Sequence, residues 1–150
     1  MRQRVRAGIL GCLVLLTGAL WFFTRAYVYA PTSTPPVYVV RAAEEMAKAS
    51  ADPHPVLAYA IRTTEAVALT GSPNGNVAAP ETRVYLVMLY GQFTADWVSP
   101  PAGAALPTGT VVTFTINQKT HRVMDMGLGH KTPSLVSLES FGPLQSFTVP

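Results

Sequence analysis

The sequence predicts an α+β protein in which an N-terminal transmembrane helix is followed by one small domain with a helix packed on an antiparallel sheet. Three observations indicate this class. An uncharged apolar run follows the first cations, apolar residues recur with helical spacing from Val37 to Ala51, and apolar and polar residues alternate from Thr110 to Asn117. The residues that follow the N-terminal segments suffice for one modest core and not for two.

The N-terminal segment has the charge order of a membrane anchor. Its apolar run, residues 7–23, corresponds to roughly 25 Å of helix, and extension to residue 29 matches a hydrocarbon core of about 30 Å. Three arginines before the run outweigh the single arginine after it. This asymmetry predicts a cytoplasmic N-terminus, a single pass through the cell membrane and a domain outside the cytoplasm. The residues expected to set this topology are Arg2, Arg4, Arg6, Trp21 and Arg25.

Cleavage of the segment by a signal peptidase is the alternative to a retained anchor. Val28 and Ala30 satisfy the preference for small residues before a cut, but Pro31 would follow the cut directly and hinder it. The length and the flanks of the segment favour retention. Cleavage near Ala30 would instead release a secreted inhibitor-like module.

The chain is expected to divide into a cytoplasmic tail at residues 1–6, a transmembrane signal-anchor at 7–29, a Pro-rich linker at 30–36 and an extracytoplasmic α+β domain at 37–150. Residues 31–150 carry seven Lys and Arg against eight Asp and Glu, a net charge of −1, and the sequence shows no basic cluster among them. Nucleic acid is therefore not an expected partner. The only cysteine lies in the apolar run, so no disulfide is expected in the domain.

Periodicity and turn residues predict the elements of the domain in order. They are a helix at 37–51, a strand at 56–64 with helical preference at 65–69, a loop at 71–76, a buried strand at 84–90, and a hairpin of strands at 110–117 and 121–126. The strand at 84–90 is apolar throughout, so both faces of the sheet need cover. The helix can cover only one face. The other could be covered by the tail at 135–147, by the segment at 65–69 or by another protein, and the six large apolar residues of the tail favour the tail.

This order of elements behind a membrane segment resembles the PepSY and wider cystatin-like domains of extracytoplasmic bacterial proteins. The resemblance rests on the helix at 37–51 and on the hairpin, where Ile116, Thr120 and Val123 match the spacing of a strand, a Thr-centred turn and a returning strand. It implies a noncatalytic domain that binds or restrains a partner such as a peptidase, and it assigns no catalytic residue. This chain departs from the family pattern at His121, where the turn usually has glycine, and at Asn117, where it often has aspartate.

A hydrolase or metal-dependent enzyme is the alternative from another functional class. It would have to be built from His54, His121, Asp125 and His130, brought into one pocket by the fold. On a strand, His121 and Asp125 would share a face but lie ~13 Å apart, too far to bind one metal ion without other ligands. No motif marks a nucleophile, a phosphate loop or a zinc site.

The sequence therefore favours a noncatalytic function, with no catalytic, cofactor-binding or metal-binding residue and no cofactor expected. The preferred reading is a membrane-anchored binding or accessory domain that acts through protein or peptide contacts in the bacterial cell envelope. Its expected partners are the lipid bilayer, through the N-terminal helix, and an envelope protein or peptide.

Overall fold

The computed structural model describes residues 34–70, 79–131 and 135–150. The elements in chain order are α1 (Val37–Ala49), β1 (Leu57–Thr64), α2 (Glu65–Ala68), β2 (Arg83–Thr94), β3 (Thr108–Asn117), β4 (Val123–Gly129), α3 (Leu135–Glu139) and β5 (Leu144–Phe147). The predicted cytoplasmic tail, the transmembrane segment, most of the linker and the loop at 71–76 lie outside the described residues. Within the described ranges, no helix is long and apolar enough to cross a membrane.

Helix α1 forms because its apolar residues recur on one face. Val39, Ala43 and Ala47 are buried on that face, whereas the opposite side carries exposed charges. The helix ends where Ser50 donates both its backbone N–H and its hydroxyl to the carbonyl of Met46, at 2.9 and 2.6 Å. The predicted helix is thus confirmed, and it ends two residues before Ala51, which has a φ of 61°.

The five strands form one antiparallel sheet in the order β4-β3-β2-β1-β5. Strand β2 lies at its centre, and every residue from Val84 to Tyr90 is buried. The seven consecutive apolar residues had predicted a strand covered on both faces, and this prediction is confirmed. A helix on a purely antiparallel sheet makes the domain α+β, as the sequence indicated.

Each face of the sheet has its own hydrophobic core. Val87 and Leu89 point to the face that α1 covers, and Leu86 and Met88 point to the opposite face. On that opposite face, Leu138 of α3 is buried in the core. The partly buried residues packed around this second core are Tyr59, Ala68, Phe141 and Leu144. The expectation that the tail covers the second face is therefore confirmed for Leu138, Phe141 and Leu144, whereas Phe147 packs against the first core.

The structure differs from the predicted elements at two strands. Strand β5 was not predicted, because four residues between a Gly-Pro pair and the C-terminus give too little periodicity, yet it pairs with β1 from Leu144 to Phe147. The returning strand of the hairpin begins at Val123 and not at His121. The reason is the φ of 57° at His121, which keeps that residue in the turn.

Candidate functional site

The four residues of the enzyme hypothesis do not meet in one pocket. The backbone carbonyl of His130 accepts a hydrogen bond from the hydroxyl of Thr110 at 3.2 Å, which places it near the start of β3. The backbone N–H of His121 donates to the carbonyl of Asn117 at 2.8 Å, at the end of β3. Seven steps along a strand amount to roughly 24 Å, so the backbones of these two histidines lie at opposite ends of the sheet. All three histidines are exposed.

The described residues contain no group of three or more His, Cys, Asp or Glu side chains that could hold a metal ion. Asp125 is exposed on β4 and lines a hollow of about 210 Å³ together with Thr113, Thr115 and Gly127. His54 lies elsewhere, in a second cavity. The geometry of the described residues therefore separates the side chains from which a metal centre would have to be assembled.

The second cavity is an open groove of about 540 Å³ at the end of the sheet where α1 stops. Asp52 and His54 line it, together with Gln92 from β2. The backbone N–H of Gln92 donates to the Asp52 carboxylate at 2.7 Å, and a side chain at Gly91 would collide with that carboxylate. Asp52 thus holds the bulge that interrupts the β2–β3 pairing between Tyr90 and Phe93, which is a structural task.

Strand β4 is an exposed edge of the sheet. It pairs with β3 on one side, and no other strand of the described residues pairs with it. Val123, Met124 and Met126 are exposed large apolar residues, and Met126 retains 41% of its accessible surface. The strand contains neither lysine nor proline, the residues that commonly protect an edge against further pairing.

No contact within the described residues explains why two positions of β4 are glycine. A Cβ atom at Gly129 would meet no other heavy atom within 4 Å, and one at Gly127 would approach only the Thr113 hydroxyl, at 3.3 Å. Neither glycine has a positive φ. Glycine within a strand often marks a place where another backbone approaches closely. The composition of this edge therefore fits the approach of a further strand.

A second feature is a concentration of positive charge at the end of the sheet where the hairpin turns. Five exposed cations lie there, and we call this set the basic end: Arg41, Arg62, Arg83, Lys119 and Arg122. Backbone contacts define their placement. Gln118 donates its backbone N–H to the carbonyl of Arg83 at 3.0 Å, and Asn117 donates to that of Arg122 at 2.9 Å. In the sequence these cations are dispersed, and the pairing of the strands brings them to the same end.

Aromatic rings lie at the centre of the basic end. The ring of Tyr38, in the first turn of α1, stacks on His121 with centroids 3.8 Å apart and meets Tyr85 edge to face at 6.1 Å. Burial and the neighbouring Tyr85 raise the pKa of the Tyr38 phenol, and the positive charge of Arg62 opposes this rise. These contacts fix the N-terminus of α1 against the hairpin turn.

Replacement of His121 separates the contribution of the stack from that of the backbone. The alanine variant would lose the stack and keep the left-handed φ, so we expect His121→Ala to lower the free energy of unfolding by about 1 kcal/mol. His121→Gly also loses the stack, but glycine adopts a positive φ without strain, so the free energy of unfolding of this variant should stay near that of the wild type. Urea unfolding of the three proteins measures both effects, and equal stability of the two variants would contradict this explanation.

Sequence reasoning missed the exposed edge and the basic end for the same physical reason. Both arise from the pairing of strands that are distant in the chain. Arg62 and Arg83 are brought close because Thr64 pairs with Arg83 across β1 and β2. The nearly neutral composition of the domain gave no signal that these cations lie together. The exposed edge did leave a signal, namely the apolar residues Met124 and Met126 on the predicted terminal hairpin.

Comparison of the chain with protein-family models, with curated proteins and with solved structures finds no match. The functional argument therefore rests on the geometry of the described residues alone.

Proposed function

We propose that this chain is a membrane-anchored extracytoplasmic binding or accessory domain that acts through protein or peptide contacts in the bacterial cell envelope. The observation that carries the proposal is the edge strand β4, whose apolar side chains are exposed. The charge order of residues 1–29 supports the anchor and the outward orientation. A helix packed across one face of an antiparallel sheet also supports the proposed likeness to PepSY and cystatin-like domains.

An extended peptide segment of an envelope protein is the partner that β4 suits best. Such a segment adds a strand to the sheet, and its main-chain hydrogen bonds provide affinity without requiring a deep pocket. The edge is most regular from Asp125 to Gly129, because the pairing with β3 shifts between Thr115 and Ile116 and leaves Met124 as an extra residue. Met126 would contact an apolar side chain of the peptide.

Strand β5 at the other edge is a weaker candidate for the same task. It has four residues, against seven in β4. Short edge strands offer few hydrogen bonds to an added strand. The proposal therefore assigns peptide binding to β4.

Site-specific crosslinking tests whether β4 contacts a partner. We expect a photoreactive amino acid in place of Met124 to crosslink the full-length protein to an envelope protein in intact cells. The same amino acid in place of Val56, which is 89% exposed and lies off the edge, should not do so. A peptide that covers the crosslinked segment then serves as the probe for binding to the purified full-length chain. Crosslinking of equal strength from both positions would contradict a site at β4.

Two substitutions test the pairing itself with that peptide. Met126→Lys places a charge on the apolar edge and should weaken binding by about tenfold or more, whereas the matched Val56→Lys should leave it unchanged. Met124→Lys, at the other exposed methionine of β4, should weaken binding in the same way. Normal peptide binding by both edge variants would overturn the proposal.

A further inference from the structure

We infer that the basic end of the domain binds the anionic phospholipid headgroups of the membrane in which the chain is anchored. This inference rests on the anchor in the proposed function and adds a second, electrostatic contact with the bilayer. Anionic membranes attract clusters of Lys and Arg close to a membrane-spanning segment, and each cation strengthens the attraction. The five cations of the basic end are all exposed.

These cations are free to meet external anions. The ion pair within the described residues joins Lys48 to Glu44, at 2.6 Å, and it leaves the five cations of the basic end unpaired there. The remaining cation of the domain, Lys131, follows β4 at the opposite end of the sheet. Five of the seven cations of residues 31–150 therefore lie at one end without a salt bridge in the described part, although the charge of Arg41 acts on Glu44 in the next turn of α1.

The acidic residues are distributed differently. Asp52 lies against the far end of β2, where it accepts a hydrogen bond from Gln92, and Asp96 follows the end of that strand. At the basic end, Glu81 lies two residues before Arg83, Glu44 and Glu45 follow Arg41 on α1, and Asp125 lies three residues after Arg122. These acids offset part of the positive charge, whereas Glu65 is buried. The domain is nearly neutral as a whole but positive at one end, which is a charge distribution that orients a protein on an anionic surface.

The chain also enters the domain at the basic end. Helix α1 starts at Val37, and the stack of Tyr38 on His121 holds this start beside the hairpin turn. The linker that the sequence predicts before α1, at 30–36, reaches at most about 25 Å when fully extended. Val37 is 77% exposed, and an apolar side chain among cations is typical of a surface that contacts the membrane interface.

Energy transfer in reconstituted vesicles tests the inference on the full-length chain. A donor is attached at Thr120→Cys, an exposed position in the turn, in a background with Cys12→Ser, and acceptors are placed on lipid headgroups. We expect stronger transfer in vesicles of equal parts phosphatidylcholine and phosphatidylglycerol than in phosphatidylcholine alone. The difference should shrink as salt is added, because screening weakens exposed charges.

A pair of double variants with the same loss of charge provides the control. Arg83→Gln/Lys119→Gln should lower the docking equilibrium constant on anionic vesicles by on the order of 30-fold, since each cation contributes about fivefold. Lys48→Gln/Lys131→Gln removes two cations away from the basic end and should retain the docking of the wild type. Equal energy transfer on both vesicle types, or an equal loss in both double variants, would overturn the inference and point to an acidic protein as the ligand of this end.

Flotation of the same samples distinguishes failure of the anchor from failure of the inference. A chain held by its N-terminal segment floats with neutral phosphatidylcholine vesicles, whatever the basic end does. Flotation with neutral vesicles together with lipid-independent energy transfer would overturn the headgroup contact alone. Absence of flotation with neutral vesicles would overturn the anchor itself.

Discussion

Truncation of the chain after Pro133 is expected to unfold the domain. The deletion removes Leu138, which is 1% exposed in the core of the second sheet face, along with Phe141 and Leu144 around it. It also removes β5 and thereby exposes the outer edge of β1. Each large apolar side chain that is buried contributes about 1.5–3 kcal/mol, so the combined loss approaches the whole stability of a small domain, about 5–15 kcal/mol.

Circular dichroism during heating and size-exclusion chromatography of the truncated and intact chains measure this effect. We expect no cooperative transition for the truncated chain, together with aggregation. Single substitutions in α3 should have smaller effects than the truncation. Leu138→Ala should lower the free energy of unfolding by about 2–5 kcal/mol, and substitution of its exposed neighbour, Glu139→Ala, should change it little. A monomeric truncated chain that melts cooperatively would show that the tail is not needed to cover the second face.

Phe114→Ala is expected to be among the most damaging single substitutions in the domain. Phe114 is 1% exposed and lies at the centre of β3, where it packs in the core under α1. Removal of a buried phenyl ring leaves a cavity and typically costs about 3–5 kcal/mol. Because β2 is paired with β3 throughout this region, the surrounding backbone has little freedom to close the cavity.

The chain offers a matched control for this substitution in Phe141, which is only partly buried at the margin of the second core. Phe141→Ala removes the same atoms but should cost less, since water and neighbouring side chains can fill the space. Urea unfolding of both variants gives the two free energies. Equal losses would mean that burial of the ring does not determine its contribution.

The elements that the sequence predicted well are those that carry a strong local period. Helix α1 repeats apolar residues at helical spacing, and β3 alternates Val112, Phe114 and Ile116 with more polar residues. A short stretch of sequence is therefore enough to predict the secondary structure of each element. The continuous apolar run of β2 identified the sheet centre for the same reason. These features follow from local backbone geometry and from burial of one or both faces.

The features that the sequence did not predict depend on contacts between distant segments. Strand β5 has too few residues to show a period and is specified by its pairing with β1. The basic end arises because four separate elements or turns each supply one or two cations to the same place, as with Arg41 from α1 and Lys119 from the hairpin. A single sequence contains no direct signal of such proximity, which only the register of the strands determines.

The pairing of β5 with β1 has a consequence for the biogenesis of the protein. The first strand of the sheet receives one of its two neighbours from the last element of the chain, so this ladder cannot form before the C-terminus has been synthesised. Closing so long a loop is entropically costly and slows folding. Until then, the edge of β1 and the apolar surface around Ile61 remain uncovered. On the proposed location outside the cytoplasm, an export pathway that moves unfolded chains would receive this domain before its sheet is complete, and folding would finish only after β5 has been delivered.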